Sequence, residues 1–410
     1  MNISNILEIS KIFNSFGVDK IPSVPLDWIG SIIGWIFDLF SNFYGAVALG
    51  VIVFTLCLKT LVLPLDIYSR VKTKKQSLLM KKMKPQMEKL KKQYANDEKM
   101  YQQKVAELQK ANGFSPIGAC LPMIVSLIIF MTVFSSFSVY SNYATLKNYN
   151  EMVGAYNSSV EVYVQTGEND TNEQFLLGKD NNYQCDFGKF ADFYATQDEE
   201  FNVEEFAAMD ENAKWEVVID FVQLGAREAV VDWYEENKVA TEFGWIGNMW
   251  YPDSYFNKKV PSYSDFASSV SRALGSSNNA NYELGYNEVT YNLSEQKQTP
   301  NGYFVLIVLS IGFMLLQQFI MMRTQKDTNE LATVDGSGAS ANKWMMIIMP
   351  IMFGIFSFFY SAAFSVYMIT NTFYGLITTL IINKIVTVKF ENRNDDDNSY
   401  RPSKNAKRLK

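Results

Sequence analysis

A single lysine, Lys59, stands inside a run of otherwise uncharged, mostly apolar residues from Gly45 to Leu63. A lysine at the middle of a membrane span costs about 2.5–3.5 kcal/mol, so such a residue usually faces protein or water. Lys59 also lies only four residues from the end of its run, where its side chain could simply extend to the interface. Position alone leaves both interpretations open.

Polar side chains recur in the other apolar runs of the chain. Thr55 precedes Lys59 by one helical turn, and Thr60 follows it. Polar groups in hydrocarbon need hydrogen-bond partners, so we expect them to converge. The pattern predicts an aqueous groove that reaches halfway into the membrane and contains one cation. Its other candidate residues are Ser126, Thr132, Ser135, Ser136, Gln317, Gln318, Thr370, Asn371, Thr372, Thr378 and Thr379.

The composition excludes several kinds of catalytic and metal site. The chain has no histidine, which rules out Ser-His-Asp and Cys-His catalysis and histidine-ligated zinc. Its cysteines, Cys57, Cys120 and Cys185, lie far apart and predict neither a disulfide scaffold nor a thiolate metal site. No carboxylate lies within an apolar run. We therefore predict a protein that is not an enzyme and needs no cofactor.

The apolar runs predict an all-α polytopic membrane protein with five transmembrane helices, because a span needs roughly 20 mostly apolar residues. The last run, 343–383, is too long for one span, and Ser361-Ala362-Ala363 is suited to a turn within it. The predicted spans are 45–63, 117–139, 303–322, 344–361 and 364–383. The N-terminal segment 1–44 contains a stretch at about 27–41 with the pattern of an interfacial amphipathic helix. A short strand or loop there is the alternative.

Charge predicts which connections lie on which side of the membrane. Residues 70–115 carry thirteen Lys or Arg against four acids, whereas residues 140–301 carry 27 Asp or Glu against 10 Lys or Arg. Short basic loops beside spans are cytoplasmic. We therefore expect the N-terminus outside and the C-terminus inside, and the basic tail 384–410 agrees with this orientation.

The basic segment 70–113 predicts a cytoplasmic helical hairpin. Leu79, Met83, Met87 and Leu90 form an apolar stripe under a cationic face, and Asn96-Asp97 offers a break before a second helix. A solvated loop is the alternative. So many lysines suit anionic lipid or ribosomal RNA, but few aromatic residues interleave with them, so neither sequence-specific RNA recognition nor DNA binding is expected.

The acidic segment 140–301 predicts an extracytoplasmic inserted domain. Thr196 to Glu199 has the pattern of a capping box that could start a helix, and Glu211 to Glu236 shows helical spacing of apolar residues. No DxDxDG loop occurs, and scattered carboxylates are usually a solvated face. No function is predicted for this domain.

Several motifs in this order resemble the YidC family of membrane protein insertases, with its mitochondrial and chloroplast relatives. The motif KTLVLPL starts at Lys59, where the family has Arg in a similar frame. Further similar motifs are Ser115 to Pro122 before the second span, Trp245 to Trp250 before the third, Met349 to Phe353 in the fourth, and Tyr367 with Asn371 in the fifth.

The resemblance implies an insertase and chaperone for nascent membrane proteins in a bacterial cell membrane, acting with or without the Sec translocon. It implies a substrate groove at Lys59, Thr55, Ser126, Gln317, Gln318, Tyr367, Asn371 and Thr372. It implies substrate capture by the hairpin through Lys82, Lys84, Lys89, Lys91 and Lys92. The lipid bilayer, the Sec translocon and the ribosome are the expected partners besides the substrates. A solute transporter or ion-conducting protein is the alternative, although no internal repeat relates the spans.

The chain departs from the family pattern at several groove positions. Lys59 keeps the charge of the family arginine but not its planar fork of donors. Ser126 replaces a common glutamine, Asn371-Thr372 replaces an Asn-Asn pair, and Thr378-Thr379 replaces a glutamine pair. About a hundred extra residues before Trp245 have no counterpart in the family.

Overall fold

A computed structural model describes most of the chain as helix. The described residues are 18–112, 116–165, 173–179, 182–274, 280–324, 348, 351–352, 354–355 and 357–396. They divide into two compact units. The first unit lies within Met1–Trp28, Asn42–Ala46 and Val139–Gly302, and the second within Ile29–Ser41, Val47–Ser138 and Tyr303–Lys410.

The second unit contains most of the apolar helices and the helices of the basic segment. Helix α1 is Trp28–Asp38, α2 is Ala46–Gln93, α3 is Glu98–Ala111, α4 is Pro116–Glu161, α12 is Val305–Thr324 and α13 is Ala362–Asp396. The described residues between 348 and 359 are also helical. Among the residues described, Ala46–Ser69 and Ala362–Ile382 are long and apolar enough to cross a membrane, and Trp28–Asp38 and Val305–Met321 are shorter apolar stretches. The side chains of residues 117–127 in the second predicted span, and several residues of the predicted span 344–361, lie outside the described residues, so five spans stays a prediction.

Three of these helices are longer than the segments that the sequence pattern suggested, and one of them, α13, continues to Asp396, past the predicted end of its span at residue 383. Helix α2 continues from the apolar run into the basic segment as far as Gln93, passing through Pro64 and Pro85. Helix α4 continues from its apolar run to Glu161. The division between the two units falls inside α4, at Ser138 and Val139.

The basic segment forms a helical hairpin. Helix α3 begins after Asp97, whose carboxylate accepts a hydrogen bond from the amide of Met100 at 3.0 Å. Met83 and Met87 of α2 are buried together with Leu108 of α3. Contact between residues equally distant from the turn requires the two helices to be antiparallel.

The first unit is mainly helical and has one small sheet. Strands β1, Leu176–Lys179, and β2, Asn182–Cys185, form an antiparallel pair, with Leu176 opposite Cys185. Its helices are α5 Phe187–Gln197, α6 Val203–Ala208, α7 Glu211–Thr241, α8 Tyr263–Ser269, α9 Ser271–Leu274, α10 Ala280–Val289 and α11 Ser294–Gln298. The core lies where α4, α5, α7 and α10 meet, and it is rich in aromatic rings.

The predicted helix start at Thr196 is wrong. Helix α5 begins earlier, after Asp186, whose carboxylate accepts from the amide of Lys189 at 3.1 Å, and it ends at Gln197. The hydroxyl of Thr196 donates to the carbonyl of Phe193 within the last turn. Burial of Phe190 decides the position of this helix, and a local capping pattern cannot outweigh that burial.

A polar cluster joins α4, α7 and α10 inside the first unit. The guanidinium of Arg227 donates to both carboxylate oxygens of Glu288, each at 2.7 Å, and the hydroxyl of Tyr156 donates to the same carboxylate at 3.1 Å. Burial alone would lower the pKa of Arg227, but the hydrogen bond and the negative charge of Glu288 outweigh it and raise that pKa. The ring of Tyr291 lies 4.2 Å from the guanidinium.

A strap of residues 18–26 without regular structure lies along α4 in the first unit. Asn157 exchanges two hydrogen bonds with the backbone of Val18, and Asn150 exchanges two with the backbone of Ile21. The strap is therefore part of the same unit as segment 140–301.

Candidate functional site

The face of α2 that carries Thr55 is directed toward protein. Thr55 is fully buried, and its hydroxyl donates to the carbonyl of Val51 at 2.6 Å. Lys59 follows one turn later on the same face and is half-buried, whereas Leu56 and Thr60 are exposed. Residues four apart lie on one side of a helix. The stem of Lys59 therefore starts from the protein-facing side of α2.

Helices α12 and α13 pack closely where a glutamine meets a glycine. A Cβ atom added to Gly375 would lie 2.8 Å from the amide nitrogen of Gln317. The ring of Phe313 on α12 lies 6.2 Å from that of Phe373 on α13. Gln317 thus occupies space that a side chain at position 375 would fill, and Gln318 beside it is half-buried.

The polar residues of α13 are mostly buried. Thr372 and Thr379 are 2% and 1% exposed, and Asn371 is half-buried. The hydroxyl of Thr379 donates to the carbonyl of Gly375 at 2.5 Å, and that of Thr378 donates to the carbonyl of Tyr374 at 2.9 Å. Thr378 and Thr379, which replace the family's glutamine pair, therefore both donate hydrogen bonds within their own helix.

Tyr367 lies in an aromatic contact between α13 and α4. It is 4% exposed, and its ring lies 6.4 Å from that of Phe137. One turn earlier, the ring of Phe364 lies 5.1 Å from that of Phe134. Ser136 on α4 is also buried, while the side chain of Ser126 lies outside the described residues.

These contacts place two of the predicted groove residues against neighbouring helices. Gln317 meets α13 at Gly375, and Tyr367 meets α4 at Phe137. Convergence of Lys59 with Gln317 and Asn371 stays a prediction. Sequence reasoning missed Gly375, although a glycine one turn after Asn371 is a recognisable signal for close helix packing.

The lysines predicted to capture substrate lie on the outer face of the hairpin. Lys84, Lys89, Lys91 and Lys92 are exposed. The apolar residues of the hairpin, Met83, Met87 and Leu108, are directed inward, with Leu90 and Val105 packed against them. The side chain of Lys82 lies outside the described residues. The hairpin therefore presents a cationic surface over a small apolar core.

The part of the chain that the structure describes contains no group of three acidic, cysteine or histidine side chains able to hold a metal ion. Its chemistry is that of a cation, amides and hydroxyls among long apolar helices. Together with the two described helices that are long and apolar enough to cross a membrane, these features indicate a helical membrane protein.

The chain belongs to the family described as 60Kd inner membrane protein, whose sequence model matches residues 39–163 and 236–389. This match spans about two thirds of the chain and confirms the predicted resemblance. Segment 164–235 lies outside it and contains β1, β2, α5, α6 and most of α7.

Several relatives are named membrane protein insertase YidC. That of Leptospira interrogans is 38% identical over 91 residues, which are 22% of this chain and 13% of that protein. That of Fusobacterium nucleatum is 35% identical over 94 residues, 23% of this chain and 44% of the relative. That of Caldanaerobacter subterraneus is 30% identical over 117 residues, 28% and 55% respectively. The chain thus spans from about an eighth to about half of these relatives' lengths. No solved structure matches the chain.

Proposed function

We propose that this protein is a membrane protein insertase that inserts and helps fold nascent membrane proteins. The observation that carries the proposal is the half-buried Lys59, placed on the protein-facing side of α2 within the part of the chain that matches the family. The relatives' names support the same function.

The hairpin and Lys59 would act in sequence. The exposed lysines of the hairpin hold a nascent segment near the membrane. The polar or acidic flank of that segment then enters the groove, where the positive charge of Lys59 attracts it. The flank crosses a shorter apolar barrier, and the apolar segment leaves sideways along the first, third or fifth span. Partition of roughly 20 apolar residues into lipid is itself favourable, so no cofactor is needed.

The proposed partners are nascent membrane proteins and the lipid bilayer. The positive charge of the hairpin and of the basic tail 384–410 favours binding to the ribosome. Membership of the family favours cooperation with the Sec translocon. We place the protein in the bacterial cell membrane with five spans, the acidic segment outside and the hairpin inside. The strap supports an external N-terminal segment, because Val18 and Ile21 are hydrogen-bonded to residues of segment 140–301.

Cysteine labelling tests this topology. Ser23 on the strap and Lys89 on the hairpin are both exposed. In a chain whose native cysteines are replaced by serine, a membrane-impermeant maleimide should label Ser23→Cys in intact cells. Lys89→Cys should be labelled only after the membrane is permeabilised. Equal labelling of both positions in intact cells would contradict the proposed orientation.

Complementation tests the function itself. We expect the native chain, expressed in bacteria depleted of their own insertase, to restore growth. If it does not, the purified protein in liposomes should still insert a single-span test protein, measured by its protection from protease. Failure of both assays by a correctly inserted chain would reject the proposal and favour a transporter, which would instead show solute flux.

A further inference from the structure

The strap is held by two asparagines whose side chains form hydrogen bonds with its backbone. The amide of Asn157 accepts from the nitrogen of Val18 at 2.8 Å and donates to its carbonyl at 3.0 Å. The amide of Asn150 does the same for Ile21, at 3.0 Å and 2.7 Å. Each asparagine thus satisfies both backbone groups of one residue, as a neighbouring β-strand would do.

The spacing of the two asparagines fits an extended chain. Asn150 and Asn157 are seven positions apart on α4, which corresponds to about 10.5 Å along the helix. Val18 and Ile21 are three residues apart, and three extended residues span about 10 Å. The two distances agree, so α4 binds two residues, three positions apart, of an extended segment that runs antiparallel to it.

The buried side chains of the strap show which residues this site accepts. Val18 and Ile21 are 7% and 1% exposed, while Asp19 and Lys20 between them are exposed. On α10, a Cβ atom added to Gly285 would lie 2.7 Å from a methyl group of Val18, so this glycine provides the space for that side chain. The site therefore accepts two aliphatic residues three positions apart and leaves the residues between them in solvent.

We propose that Asn150, Asn157 and Gly285 form a binding site for an extended, aliphatic polypeptide segment, and that the strap is its built-in, displaceable occupant. We call this site the strap cleft. Since backbone groups are common to nearly all residues, its recognition would tolerate many sequences. The segment that competes with the strap would be an unfolded external segment of a client membrane protein. This identity of the competitor rests on the proposed function.

The strap is suited to exchange. Pro22 and Pro25 have no backbone N–H, so the strap cannot continue as a regular hydrogen-bonded strand. Its bonds to the two asparagines are neutral, and each such bond contributes only about 0.5–1.5 kcal/mol net. Its advantage over a free segment is its attachment to the same chain, which raises its effective concentration.

Peptide binding to the full chain in detergent micelles tests the strap cleft. The probe is a fluorescein-labelled peptide of residues 17–26, GVDKIPSVPL, followed by fluorescence anisotropy. The variant Val18→Ser/Ile21→Ser removes the two aliphatic side chains that anchor the strap in the strap cleft, and we call it the unseated variant. We expect it to bind the probe at least about tenfold more tightly than the native chain. Absence of probe binding to a folded, unseated variant would overturn the proposal.

Two changes separate backbone recognition from other binding. Adding Asn150→Ala or Asn157→Ala to the unseated variant should weaken probe binding about tenfold, because two hydrogen bonds are lost. Asn237→Ala, an exposed asparagine on α7, should leave it unchanged. A probe methylated on the backbone nitrogens of Val18 and Ile21 should not bind. Equal binding by both probes, or by all three asparagine variants, would reject the strap cleft.

A second peptide defines the ligand class. It keeps Val and Ile at their positions but has serine elsewhere, and we expect its affinity to lie within about threefold of the probe's, since the cleft reads backbone and two aliphatic side chains. A much weaker affinity would reject recognition of varied segments.

If the unseated variant does not fold, a protease site placed after Leu26 allows the strap to be cut after folding. The cut strap should then exchange for the probe, and lack of exchange would overturn the proposal.

These measurements do not depend on insertion. A strap cleft that fails to bind peptide would leave the insertase proposal intact. Peptide binding by a chain that inserts no protein would keep the strap cleft and reject only the client as its natural occupant.

Discussion

Lys59→Ala is expected to abolish growth of insertase-depleted cells that the native chain supports, whereas Lys59→Arg is expected to retain it. A cation at a span centre costs about 2.5–3.5 kcal/mol on insertion, so its removal should ease membrane integration of the chain itself. Any loss of growth would therefore report loss of the groove charge. Arginine preserves that charge and adds donors.

The comparison requires equal amounts of each variant in the membrane, measured by immunoblot of isolated membranes. Lys147→Ala is a matched control, because it removes the same charge from an exposed lysine of α4 that lies in the first unit, beyond the apolar run 117–139. We expect it to support growth like the native chain. Growth of cells with all three variants would show that Lys59 only extends to the interface, and the groove mechanism would then lose its cation.

Phe190→Ala should lower the free energy of unfolding of the first unit by about 3–5 kcal/mol, the range for truncation of a buried phenylalanine. Phe190 is fully buried at the centre of the aromatic core. Its ring lies between 5.0 and 6.4 Å from those of Phe175, Tyr194, Phe201, Phe206 and Phe221. Truncation removes these contacts and leaves a cavity that a ring-packed core fills poorly.

Denaturant unfolding followed by tryptophan fluorescence measures this effect, since Trp215 and Trp233 pack against the same core. Phe256→Ala is the control: that side chain is 82% exposed, and its loss should change stability by less than about 0.5 kcal/mol. A change for Phe190→Ala no larger than the control's would show that this core does not stabilise the unit.

The membrane character of the chain followed from local properties of the sequence. An apolar run of about 20 residues, a basic loop and an acidic loop each carry their meaning without reference to distant residues. The hairpin followed in the same way, because Met83 and Met87 recur at helical spacing and Asn96-Asp97 offers a break before a second helix. The local capping pattern at Thr196 failed where burial of Phe190 determined the limits of α5.

The candidate groove was predicted only as a set of residue types. Apolar surroundings identify Lys59, Gln317 and Asn371 as residues that need partners, but they do not identify the partners. The structure assigns Gln317 to the space beside Gly375, and it directs the hydroxyl of Thr379 into its own helix. Both arrangements depend on the distance between α12 and α13, which cannot be predicted from the sequence of either helix alone.

By itself, the sequence determined that this chain has long apolar helices, a basic hairpin, an acidic insert and one lysine among apolar residues. Those features depend on the length of each apolar run and on the local net charge, and both can be summed directly along the sequence. Only the tertiary structure decided that Val18 meets Asn157 and that Arg227 meets Glu288, pairs separated by 139 and 61 residues. Such contacts form because the folded unit buries their neighbours, and the energy of that burial is shared by elements that are distant in sequence.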